Sequence, residues 1–73
     1  MSSEIKSGAE ATQIAQSVLE KGYGFIRPVK AQQIGDIWYV EIDVGVFKPR
    51  IAKFKIDAKT GVVVSYEVSP EAS

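Results

Sequence analysis

Glu41 and Asp43 are the first side chains in this 73-residue chain that could do chemistry. They stand two apart in an alternating stretch, which on a strand separates their Cα atoms by about 6.5–7 Å, a workable spacing for a general acid and a general base. Their neighbours argue otherwise. Lys53 and Lys55 on the next alternating stretch would share their face, and nearby cations keep both carboxylates ionised instead of splitting their pKa values. The usual partners in catalysis are missing as well. There is no His, so the common general base and metal ligand are gone, and no Cys, so neither thiolate chemistry nor a disulfide framework is possible. Asp57-Ala-Lys-Thr-Gly61 puts Lys where a calcium loop needs a second oxygen ligand, and no bidentate Glu closes it. Neither a phosphate-gripping glycine loop nor a nucleophile elbow is present. The chain therefore reads as non-enzymatic, with no catalytic residue, no cofactor and no metal.

Binding is what remains, and charge limits its kind. Nine Lys and Arg balance nine Asp and Glu, which argues against nucleic acid as a partner, because phosphate neutralisation supplies most of that affinity. The balance is uneven along the chain: residues 48–59 hold five basic residues against Asp57 alone, a local +4. Set beside Glu41 and Asp43, these lysines read as cross-strand pairs on a polar sheet face, worth roughly 0.2–1 kcal/mol each. Trp38 falls on the opposite, core-facing side. Ile37, Tyr39, Ile51 and Val63 fall on the polar side, where four apolar side chains predict a contact surface for a protein or peptide partner or for a second copy.

The elements that must carry these residues follow from hydrophobic period. Ala11, Ile14, Ala15, Val18 and Leu19 recur at three- and four-residue steps, predicting a helix over 8–21. Ser7 and Glu10 have capping-box spacing, and Gly22 is placed for a left-handed C-terminal cap. Beyond Gly24 the period becomes two. Phe25 to Ile34 predicts an edge strand weakened by Pro28, and Ile37 to Phe47 a strand with Trp38, Val40, Ile42, Val44 and Val46 facing inward. Ala52, Phe54 and Ile56 repeat the pattern, as do Val62, Val64, Tyr66 and Val68. Gly35-Asp36, Lys48-Pro49 and Asp57–Gly61 supply the turns. Short connections favour a meander, so the expected fold is α+β, one N-terminal helix packed on a three- to four-stranded antiparallel sheet in the order α-β-β-β-β.

Hydrophobic residues at 45% and charged ones at 25% suit a folded domain, and the length allows only one core. The expected limits are a flexible 1–7, a single domain over 8–68 and a flexible tail over 69–73. The start of the chain lacks a secretory pattern and no apolar run approaches a membrane span, which predicts a cytoplasmic protein without a membrane partner.

Two resemblances bear on function. Lys21-Gly-Tyr-Gly-Phe-Ile26 resembles the cold-shock stretch whose aromatics stack on single-stranded bases, which would make Lys21, Tyr23, Phe25 and Arg27 nucleic-acid contacts. A helix precedes the stretch here, and the family's following His-containing segment is absent, so the match reads as coincidence and nucleic-acid binding as the alternative function. The second resemblance spans about residues 9 to 68. The Ala-rich helix from Ala9 to Leu19, the strand Trp38-Tyr-Val-Glu-Ile-Asp43 and the hairpin Phe54-Lys-Ile-Asp-Ala-Lys-Thr-Gly-Val-Val-Val64 are similar to a PepSY-type domain. Such domains occur in propeptides of thermolysin-like proteases and in many exported or membrane-attached proteins, and carry no catalytic residues. The resemblance implies a small binding or regulatory module, with protease regulation as its setting.

Overall fold

The computed structural model describes residues 5–69, which form one helix and one four-stranded sheet. Helix α1 spans Gly8–Leu19 and buries Ala11, Ala15 and Leu19. Its start follows the capping pattern. Ser7 is extended and its Oγ accepts the Glu10 amide at 3.3 Å, while the Glu10 carboxylate reaches back to the amide of Lys6 (3.2 Å). Its end corrects the expectation. The helix stops two residues early, and the amides of Gly22 and Tyr23 both donate to the Leu19 carbonyl, so the chain turns off without a left-handed Gly22.

Strands β1 (Arg27–Ile34), β2 (Ile37–Asp43), β3 (Ile51–Asp57) and β4 (Val63–Val68) pair antiparallel in the order β1-β2-β3-β4. With the helix packed on one face, this is the expected α+β meander. Gly35 turns β1 into β2 with φ +62, a conformation that suits glycine. In the β3–β4 turn, the Asp57 side chain accepts the amides of Lys59 and Thr60, and the Gly61 amide closes on the Asp57 carbonyl.

The helix lies on β1 and β2, and beneath it the inward residues Val40, Ile42, Ala52, Phe54 and Ile56 are sealed from water. Trp38 is buried too, as expected, its indole N–H without a partner among the described residues. At about 25 cal/mol per Å² of apolar surface removed from water, this stripe is what orders the sheet. Ile5 joins it and its amide donates to the Ala58 carbonyl, so packed chain begins before residue 8. Residues 1–4 and 70–73 lie outside the described part. Ser69, expected in the tail, is tied to β3: its amide donates to the Ile51 carbonyl, and its own carbonyl accepts Arg50 Nε.

Two strand expectations fail for identifiable reasons. β2 ends at Asp43 instead of running to Phe47, because the chain folds back on Asp43 itself. Val46, expected inside, is exposed. In β4 a register shift opposite Lys55 and Ile56 interrupts the alternation, so Val62 and Val64 are exposed while Val63 packs against the core.

Candidate functional site

The register lays out the open face of the sheet, the face away from α1, in rows that cross all four strands. One row reads Lys30, Glu41, Lys53, Glu67, alternating in sign from edge to edge. Glu41 stands opposite Lys53 as expected, yet the ammonium nearest its carboxylate is that of Lys30, at 3.6 Å. The next row is Gln32, Tyr39, Lys55, Ser65. This pattern divides the expected apolar surface. Ile37 and Tyr39 lie half-buried on one side of the charged row, with Ile34 beside Ile37, while Ile51 lies on the other side. Val63 leaves the open face altogether, because the shift in β4 pairs it with the buried Ile56 and turns it to the core. The four residues therefore do not form one patch.

Asp43 has a different role from that of a face carboxylate. It is 4% exposed and sits opposite Ile51, not a lysine. Its Oδ1 accepts the amides of Gly45 (2.8 Å) and Arg50 (3.2 Å), and Oδ2 accepts from the Arg27 guanidinium at 3.0 Å. The two backbone amides, reinforced by Arg27, outweigh the cost of burial and hold this carboxyl below its ordinary range. Asp43 thus clasps the β2–β3 loop and fastens it to β1. Gly45 completes the clasp, because an added Cβ would run into the Lys48 carbonyl. At the tip of this braced loop Phe47 is 97% exposed. The two carboxylates that could have formed an acid–base pair serve separate cations on β1. Among the described residues no three acidic, His or Cys side chains gather to hold a metal.

The Lys21–Arg27 stretch is split. Tyr23 turns inward and packs against the core, while Lys21, Phe25 and Arg27 are exposed. Phe25 and Arg27 instead line a shallow depression with Val46, Phe47 and Lys48. A base-stacking platform needs both aromatics on one surface. Here they are on different ones.

The exposed apolar side chains of the helix face collect at β4. Because α1 covers β1 and β2, the outer strand has no roof: Tyr66 is 51% exposed and Val64 58%. Tyr66 is held by its ring, stacked on Phe54 at 5.0 Å between centroids and 10° between planes. β4 is also an open edge. The Ser69-to-Ile51 hydrogen bond places Ile51–Ser69, and by alternation Lys53–Glu67 and Lys55–Ser65, in the hydrogen-bonded pairs. Tyr66 and Val68 then stand in the other class, opposite Phe54 and Ala52, with N–H and C=O directed away from β3. The site is a free backbone edge beside an apolar shelf.

No family model matches the chain, and neither curated proteins nor solved structures give a match.

Sequence reasoning reached the residues of this edge and placed Val62, Val64, Tyr66 and Val68 on the core side; Val68 does pack against the core, while Val62, Val64 and Tyr66 are exposed. The available signal was the single short helix, about 18 Å long at 1.5 Å per residue. Four strands spaced about 4.8 Å apart are too wide a sheet for one such helix to roof. Among the described residues no helix is long and apolar enough to cross a membrane.

Proposed function

We propose that this protein is a small non-catalytic binding module that takes an extended segment of a protein or peptide along β4. The observation that carries this reading is the unroofed edge itself, where the outward backbone groups of Tyr66 and Val68 adjoin the exposed Tyr66 and Val64 side chains. Strand addition draws affinity from main-chain hydrogen bonds and specificity from alternate side chains, and β4 offers both. The sign-alternating row on the open face favours the edge over that face, since docking there would desolvate four charged side chains. The PepSY resemblance supplies a setting, in which the received segment belongs to a protease or its precursor and binding regulates it.

The test is a peptide library displayed on phage and panned on the protein, with an enriched peptide then titrated against the isotope-labelled chain. Amide shifts centred on Val64 to Val68, with slowed hydrogen exchange at Tyr66 and Val68, are the expected result. Shifts centred on Ile37 and Tyr39, or on Phe25 and Phe47, would move the site elsewhere and end the edge reading.

A further inference from the structure

The two edges of the sheet are not equally open to a partner. β1 carries Pro28, which has no amide to donate, a register shift between Pro28 and Lys30, and Lys30 itself, all features that discourage edge pairing. β4 has a register shift of its own at Val64, but Val-Ser-Tyr-Glu-Val contains no proline and no lysine, and from Ser65 to Val68 its pairing is regular. An edge so little protected is a template for another strand, and β4 of a second copy fits it in one register.

We infer that the segment received at β4 is β4 of a second copy, antiparallel about a two-fold axis through Tyr66. This inference rests on the edge-binding reading and names the partner. Bonding to the free N–H and C=O of Tyr66 and Val68 requires that outward-pointing residues of the two copies stand opposite one another, so the possible registers differ by steps of two. An axis at Tyr66 sets Tyr66 against Tyr66 and Val64 against Val68, an all-apolar row beside the shelf that α1 leaves bare. On the open face it sets Ser65 against Glu67, so no like charges meet. Moving the partner by two residues in one direction sets Glu67 against Glu67, a repulsive pair, and in the other sets Glu67 against the half-buried, core-packed Val63. Moving it by four leaves Tyr66 opposite position 62 or 70, outside Val63–Val68, so the Tyr66 register alone pairs Tyr66 within the strand and avoids both faults. The two-fold axis stands perpendicular to the sheet, joins the two copies into one eight-stranded sheet and keeps both helices on the same side.

Ser65 gives a test that does not depend on damaging the fold. Within one chain Ser65 pairs with Lys55. Ser65→Glu therefore adds an attractive neighbour inside the monomer while placing two Glu–Glu contacts in the dimer. Ser65→Lys does the reverse, adding repulsion from Lys55 and two attractive contacts to Glu67 of the other copy. Sedimentation equilibrium of the wild type over a wide concentration range should show a reversible species of twice the monomer mass. Two cross-strand pairs should shift its dissociation constant by about two- to thirty-fold, weaker for Ser65→Glu and tighter for Ser65→Lys. Thermal melts at low concentration should move the opposite way, with Ser65→Glu the more stable. A wild type that stays monomeric at every concentration overturns the dimer and leaves edge binding to be judged by the displayed peptides. A dimer indifferent to both Ser65 variants overturns this register. A dimer that leaves the Tyr66 and Val68 amides exchanging freely overturns β4 as the place of pairing.

Discussion

The outer strands β1 and β4 have similar lengths and opposite fates. β1 borders the helix, with Ala31 its one half-buried residue, carries a bulge and the proline that blunts an edge, and is fastened at its start by Arg27 to Asp43. β4 has no helix above it and is held on its shelf side by the Phe54–Tyr66 stack, with Arg50 gripping the Ser69 carbonyl at its end. The difference teaches that an edge strand can be held by a charged clasp or by a stacked ring, and that accessibility to a partner is set separately, by the proline and lysine that β1 carries and β4 lacks. Changes aimed at each strand should therefore separate stability from binding.

Phe54→Ala should have the largest effect, because Phe54 is both a core residue and the support of Tyr66. Truncating a buried Phe costs about 3–5 kcal/mol, which is comparable with all the stability a core of this size supplies. The expected outcome in urea, followed by Trp38 fluorescence, is a chain largely unfolded without denaturant. Tyr66→Ala keeps Phe54 and loses chiefly the stack, about 0.5–1.5 kcal/mol. It should leave a folded protein whose β4 amides lose hydrogen-exchange protection while those of β1 keep theirs. Equal loss at both edges would mean that the two strands are not held independently.

Asp43→Asn sharpens the comparison from the β1 side. The folded carboxyl of Asp43 titrates below its ordinary range, chiefly because the Gly45 and Arg50 amides donate to it. Its contribution is thus complete above the unfolded value of about 4 and is lost as pH falls through the lower folded value. Asn retains an oxygen for the two loop amides and loses the charge that Arg27 faces. At neutral pH the variant should melt at a lower temperature than the wild type, and the gap should narrow on acidification below about 4. A gap that stays constant down to the most acidic folded condition would show that the charge of Asp43 is not what fastens the loop to β1.

The degree to which this fold could be read in advance followed the distance over which each feature is determined. The helix from Gly8, the Gly35 turn and the Asp57–Gly61 turn depend on neighbours in sequence, and their residues announced them. The meander followed from short connections. What could not be read were features decided across the sheet. The shift in β4 turns Val63 inward, and strict alternation had placed it outward. Asp43 looked like one more carboxylate on a polar face, because its amide partners come from a loop that had been assigned to strand. Tyr66 fitted an apolar pattern whose roof is missing. The binding edge was hidden because period distinguishes faces, while exposure at an edge depends on how much sheet a helix can cover.

The smallest effects should come from the charged row that joins the two edges, and they test whether the open face is a solvated surface. Lys30 and Glu67 each have one charged neighbour in the row, whereas Glu41 lies between Lys30 and Lys53. Glu41→Gln removes two attractions, leaving Lys30 with no acidic neighbour in the row and Lys53 with Glu67 alone. Glu67→Gln removes one. With each pair worth roughly 0.2–1 kcal/mol, the first should lower stability by about twice as much as the second. Because these side chains meet water, the difference should fade as salt approaches about 1 M, where the Debye length is near 3 Å. Melts at low and high salt would show it. A Glu41 penalty that persists at high salt would mean that the row is shielded from solvent, and something other than water would then be covering the face that α1 leaves open.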